Sequence, residues 1–196
     1  MAEIKGTAKK FLFKYLSNAS PTGFESSGQK LWSEYIKPFV DEVHLDNYGT
    51  CYGIINPGKD YKVVIEAHAD EISWFVNYIS DNGFISVIRN GGSDHVIAPS
   101  KRVNIHTKDG IVEGVFGWPA IHTRKAKDSN NNPSVSNIFI DVGAKKKEEV
   151  LEMGIHVGCV ITYPDELFTM KDFYVGRALD NKMGGFCIAE VARMLK

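Results

Sequence analysis

The period of the apolar positions changes several times along this chain, and each change marks an element. Between Lys5 and Ser17, Phe11, Leu12, Tyr15 and Leu16 recur at helical spacing, which predicts an amphipathic helix. A turn rich in Ser, Asn, Pro and Gly, "SNASPTGFE", follows, and a second helix is predicted from Ser26 to Val40. "EVHLDNYGTCYGIINPG" alternates and ends in Asn-Pro-Gly, the pattern of two short strands closed by a turn. "YKVVIEAHAD" then reads as a continuous apolar strand of the buried kind found in parallel or mixed sheets.

From Ile72 to about Thr162 the period is two. The runs "SWFVNYI", "FISVIR", "RVNIHT", "GIVEGVFGW", "NIFIDVG" and "GCVITY" are separated by turn signals such as "SDNG", "NGGSD" and "TKDG". Short strands this closely spaced predict a small all-β barrel or sandwich. One helix interrupts them, "KKKEEVLEMG", with Gly154 placed as its C-cap. The polar stretch Arg124 to Asn137 reads as a mobile loop. After Phe173 the α/β character returns, with a turn carrying Asp180 and a helix from about Asn181, striped by Ile188, Val191 and Leu195. The chain is therefore expected to be α/β, its residues 1–70 and 163–196 forming one partial domain around a β-rich insertion at 71–162.

Composition narrows the function classes. A net charge of −1 offers no electrostatic case for nucleic acid or an anionic membrane. No apolar run approaches the roughly 20 residues that span a bilayer, and the N-terminus lacks a secretory apolar block, so a cytoplasmic location is the default expectation. The three cysteines, Cys51, Cys159 and Cys187, are far apart and have no C-x-x-C spacing, so they read as free thiols, Cys187 as a core residue of its helix. Phosphate-binding glycine motifs and the G-x-S-x-G nucleophile elbow are both absent from the sequence.

Two clusters carry chemistry. At the end of the apolar run, His68 and Asp70 are two positions apart, which in an extended chain places both side chains on one side. Such a pair suits a zinc or cobalt ligand whose second ring nitrogen is oriented by a carboxylate. A hydrogen-bonded structural histidine is the commoner reading of such a pair taken alone. Asp180, in "RALDNKMGG", has the place of a helix N-cap. Its two oxygens could also bridge a pair of metal ions, and Gly184 and Gly185 would let the helix approach another backbone closely. Both alternatives stay open on these residues alone.

The blocks "AHADEISWFV", "EGVFGWPAIH", "NIFIDVGAKKKEEVLEMGIHVGCVIT" and "GRALDNKMGG" occur in an order and at a spacing that resemble the cocatalytic metallo-aminopeptidases. The group is family forty-two of the metallopeptidases, the glutamyl and deblocking (TET-type) aminopeptidases, some of which carry an endoglucanase label. The resemblance runs from "PTGFE" onward and departs from the family pattern at Ser73, where glycine is usual. It implies a two-metal site, zinc or cobalt, with His68 as a terminal ligand and Asp180 as the bridging carboxylate. Asp70 would be the catalytic-site acid that orients His68. It also implies a peptide substrate, a mixed-sheet aminopeptidase domain, and an inserted barrel-like dimerisation domain through which copies of the chain assemble. Family members are longer, and their C-terminal part supplies a Glu-Glu pair, a further Asp and a second His. No Glu-Glu pair follows Asp180 here. The chain is accordingly expected to be a fragment or a shortened product that lacks the catalytic Glu, with an interaction or assembly module as the alternative to an active enzyme.

Overall fold

Helices α1 (Gly6–Ser17) and α2 (Ser26–Ile36) form where the helical spacing places them. In this computed structural model, which describes residues 4–124 and 132–196, α2 stops four residues short of the expected Val40. The cause is Pro38, which has no N–H to donate to the preceding turn, so the chain continues only as a 3-10 turn over Lys37–Phe39. Strands β1 (Glu42–Leu45) and β2 (Cys51–Ile54) pair antiparallel as the expected hairpin.

The next stretch corrects the sequence reading. Tyr61 to Asp70 forms no strand, and Val63, Val64 and Ile65 are 71, 83 and 57% exposed where a buried strand was expected. Apolar, β-branched residues favour a strand only when a neighbouring backbone takes up their N–H and C=O groups. None of the described strands pairs with this run.

The alternating stretch closes into a barrel of six strands in the order β3-β4-β7-β6-β5-β8. They are β3 (Ser73–Ile79), β4 (Ile85–Asn90), β5 (Arg102–Thr107), β6 (Gly110–Gly117), β7 (Phe139–Asp141) and β8 (Val160–Thr162). Every pairing between neighbours is antiparallel. Alternate side chains fill the interior: Trp74 and Val76 from β3, Val103 and Ile105 from β5, Phe116, Ile140 and Ile161 from their neighbours. Trp74 and Phe116 meet edge to face with ring centroids 5.4 Å apart. Closure satisfies the strand edges that an open sheet would leave exposed. Helix α3 (Lys147–Glu152) lies between β7 and β8, and Gly154 follows it with φ 80° in the left-handed conformation expected of a C-cap residue. Half of the expected loop at 124–137 falls on residues 125–131, which lie outside the described residues.

Strands β9 (Phe168–Met170) and β10 (Phe173–Val175) form a second hairpin, followed by α4 (Leu179–Leu195). The chain divides into two compact units, one comprising the residues through Glu71 with Asp165–Lys196, the other Ile72–Pro164. The core of the first unit mixes aromatic and aliphatic side chains, with Phe11, Leu12, Tyr15 and Leu16 of α1, Trp32 and Ile36 of α2, and Phe186 and Ala189 of α4. Phe11 stacks on Tyr35, centroids 3.8 Å apart, and Trp32 donates its indole N–H to Gly185 O at 2.8 Å.

The buried stripe of α4 differs from the expected one. Lys182, Gly185, Phe186 and Ala189 face inward, whereas Val191 and Leu195 are exposed and Cys187, read as a core residue, is exposed too. Small residues decide the contact, because they let the helix sit close to its neighbours. A Cβ on Gly185 would come within 2.8 Å of the Tyr15 hydroxyl.

Candidate metal centre

The site begins with a backbone contact that the sequence does not show. The segment Ala67 to Glu71 runs beside the turn after α1: Glu71 N donates to Ser20 O at 2.9 Å and Thr22 N to Glu71 O at 3.4 Å. Pro21 and Glu71 form a parallel bridge. This holds the extended chain on which His68 and Asp70 share a side. His68 Nδ1 lies 2.9 Å from Asp70 Oδ1, and Thr22 donates its hydroxyl to Asp70 Oδ2. An acceptor at Nδ1 fixes the proton there, so the neutral ring presents a lone pair at Nε2. That nitrogen is 3.3 Å from Asp180 Oδ1. The fold thus brings His68, Asp70 and Asp180 together.

Asp180 is not folded into the helix. With φ −95° and ψ 105° it is extended, and the regular turns of α4 begin after Asn181. Its side chain is 97% exposed apart from its approach to His68. The cis peptide bond of the described chain joins Asp180 to Asn181. Gly184 has the role expected of it, since a Cβ there would lie 2.9 Å from the Ala67 Cβ. Without a side chain at 184, α4 and the His68 segment approach within contact distance.

Electrostatics follow from burial and these partners. Burial raises the Asp70 carboxyl, but the hydrogen bonds from Thr22 and His68 outweigh it and leave the group below its ordinary value. Lys182 is fully buried, and its desolvation lowers it to about 8 against the opposing pull of Glu71. Its ammonium donates to Asn18 O at 2.6 Å and lies 4.9 Å from the centre of the Tyr15 ring.

Glu71 is buried and accepts from Arg177 Nη1 at both oxygens, at 2.7 and 2.6 Å, and from Ser20 N at 2.7 Å. Glu71, Thr22, Arg177 and Lys182 are the residues of this site that sequence reasoning missed. Thr22 lies in "PTGFE" and the last two in "GRALDNK", so the blocks were visible. A pairing across more than a hundred residues has no periodic signature.

An imidazole nitrogen and a carboxylate are the donor types a divalent first-row metal takes, and His68 and Asp180 fit as two such donors. Among the described residues no group of three or more His, Cys, Asp or Glu side chains could hold a metal ion. His122 is on an exposed 3-10 turn of the barrel unit.

Two solved aminopeptidases share this fold. A TET aminopeptidase from the marine sediment archaeon Thaumarchaeota archaeon SCGC AB-539-E09 superposes with TM-score 0.91 and 25% identity, covering 96% of this chain and 53% of that one. The aminopeptidase APDkam598 of Desulfurococcus kamchatkensis gives TM-score 0.87 and 31% identity over 97% of this chain and 53% of its own. Residues 49–196 match the family described as M42 glutamyl aminopeptidase, and the chain belongs to that family. The lysyl aminopeptidase of Pyrococcus furiosus is 28% identical over 185 residues, 93% of this chain and 53% of the relative. The chain spans about half the length of the curated relatives it matches.

Proposed function

We propose that this chain carries part of the metal centre of a metal-dependent aminopeptidase, a hydrolase that releases N-terminal residues from peptides. The observation that carries the reading is the His68 ring, with Nδ1 on Asp70 and Nε2 facing Asp180. Family membership supports the peptidase class.

In this reading His68 Nε2 and Asp180 would hold a divalent ion, zinc or cobalt, and the full centre would hold two. When bound, such ions lower the pKa of a coordinated water and polarise a carbonyl oxygen. The chain's own residues act earlier. Asp70 keeps the Nδ1 proton in place, so the Nε2 lone pair stays available and aimed at Asp180. Thr22 fixes the rotation of the Asp70 carboxylate. Two donors fall short of the three or four protein ligands of a hydrolytic zinc site. We assign the remaining ligands, and the glutamate that accepts a proton, to the half of the family length that this chain does not span.

Titration calorimetry with Zn²⁺ and Co²⁺ tests the ligand assignment. Binding should be lost in His68→Ala and in Asp180→Ala. Binding that survives both substitutions removes the assignment. The 196-residue chain alone is expected to show no turnover of leucyl- or glutamyl-anilides with either metal, and robust hydrolysis would refute the division of the site.

The alternative, an assembly module without activity of its own, is favoured by one observation: the barrel unit has a closed sheet and its own core. We assign homo-oligomer formation to that unit, as the inserted dimerisation domain, in a cytoplasmic protein. Sedimentation of the chain with and without residues 72–164 checks it.

A further inference from the structure

The two segments that carry the proposed ligands are joined through a buried ion pair. Glu71 lies three residues after His68, and Arg177 lies three residues before Asp180. Arg177 Nη1 reaches both Glu71 oxygens, at 2.7 and 2.6 Å, while Nη2 donates to Ser17 O at 2.6 Å. The Glu71 carboxylate also takes the Ser20 N–H, so the pair is anchored at both ends to the turn after α1. The side chains of Arg177 and Glu71 are only 16 and 3% exposed.

A buried ion pair is a poor source of stability, because removing two charges from water costs about as much as their attraction returns. What the planar guanidinium adds is direction. With Nη1 on the Glu71 carboxylate and Nη2 on Ser17 O, its plane is fixed against two partners at once, which an apolar contact cannot do. Here that constraint is applied three residues from each proposed ligand. His68 and Asp180 are otherwise more than a hundred residues apart, and Asp180 is almost wholly exposed.

We propose that Glu71 and Arg177 are positioning residues that hold His68 and Asp180 at metal-binding separation. The inference rests on the ligand reading above, and its test separates the two. The full chain is used, with Co²⁺ alone as the probe and two readouts. One is Co²⁺ affinity by calorimetry. The other, in metal-free protein, is the nuclear Overhauser contact between the His68 Cε1 proton and the Asp180 β protons.

Both variants keep the bulk of the side chain: Glu71→Gln removes the charge that Arg177 faces, and Arg177→Lys removes the planar group that holds Glu71 and Ser17 O together. Each is expected to lower Co²⁺ affinity about 10–100-fold, the usual effect of removing the support behind a metal ligand, and to weaken the Overhauser contact. Arg177→Met should do both more strongly. If Arg177→Met does not fold, the two milder variants decide. Glu113→Gln, which breaks the exposed Arg102–Glu113 pair of the barrel unit, should change neither readout.

Folded variants that keep the wild-type contact and affinity overturn the proposal. So does a wild-type chain without the contact, or a lost affinity with the contact intact. If the wild type shows the contact and the variants lose it, yet no Co²⁺ binds, the positioning role stands and the ligand reading fails.

Discussion

Gly184 is the smallest residue of the site, and substituting it gives a direct measure of how tightly the site is built. In Gly184→Ala the new methyl meets the Ala67 Cβ at 2.9 Å, with no flexible chain end on that side to give way. Overpacking of this kind costs about 1–3 kcal/mol, and the gain in helix propensity returns about 1 kcal/mol. A net loss of stability is expected, read from chemical denaturation, together with weaker Co²⁺ binding as the His68 segment is pushed from Asp180. At this level the residue types were legible and their contacts only partly so. The His68–Asp70 spacing and the twin glycines could be read directly. Glu71 could not, because its burial depends on Arg177 arriving from the far end of the chain.

Helix α4 is tied to α2 by a second polar contact besides the Trp32–Gly185 hydrogen bond. Glu190 accepts from the Tyr35 hydroxyl and from Arg193. Burial raises the Glu190 carboxyl, but the Arg193 and Tyr35 hydrogen bonds prevail and leave it lowered. A lowered carboxyl contributes stability that is complete above its unfolded value of about 4.3 and is lost as pH falls through the folded value. Tyr35→Phe should therefore cost about 1 kcal/mol at neutral pH, and the deficit should shrink in thermal melts below the ordinary glutamate range. The unpaired run before His68 supports a second expectation. The amides of Val63, Val64 and Ile65 should exchange with solvent far faster than those of Trp74 and Val76 in β3, as followed by hydrogen–deuterium exchange. Val64→Lys should improve solubility without lowering the melting temperature, since that side chain is exposed. Strands β3 to β6 were read to within a residue, because alternation and turn residues are local, whereas β7 and β8 are each three residues long and shorter than the runs read for them. The Tyr61–Asp70 run misled because its apolar character is local but its partner strand is not.

Among the described residues there are two buried hydrophobic clusters, one in each compact unit. Residues 72–164 are contiguous, include all six barrel strands and enclose their own core. A polypeptide of these residues is expected to fold and to melt cooperatively by circular dichroism. Ile105→Ala, which opens a cavity in that core, should destabilise it by about 2–5 kcal/mol. In the full chain the same substitution should lower the barrel transition in calorimetry and leave the other unit's transition in place. Coincident loss of both transitions would show that the units unfold as one.

The order of blocks, the α/β–β–α/β succession and the resemblance to metallo-aminopeptidases were all determined by the sequence, because periodicity, turn chemistry and motif spacing are properties of neighbouring residues. The tertiary structure alone decided which groups meet. It set His68 Nε2 opposite Asp180, paired Glu71 with Arg177, buried Lys182 against Asn18 and left the valines before the site exposed. Each of these depends on where distant segments come to rest, and burial and hydrogen bonding exist only once they have.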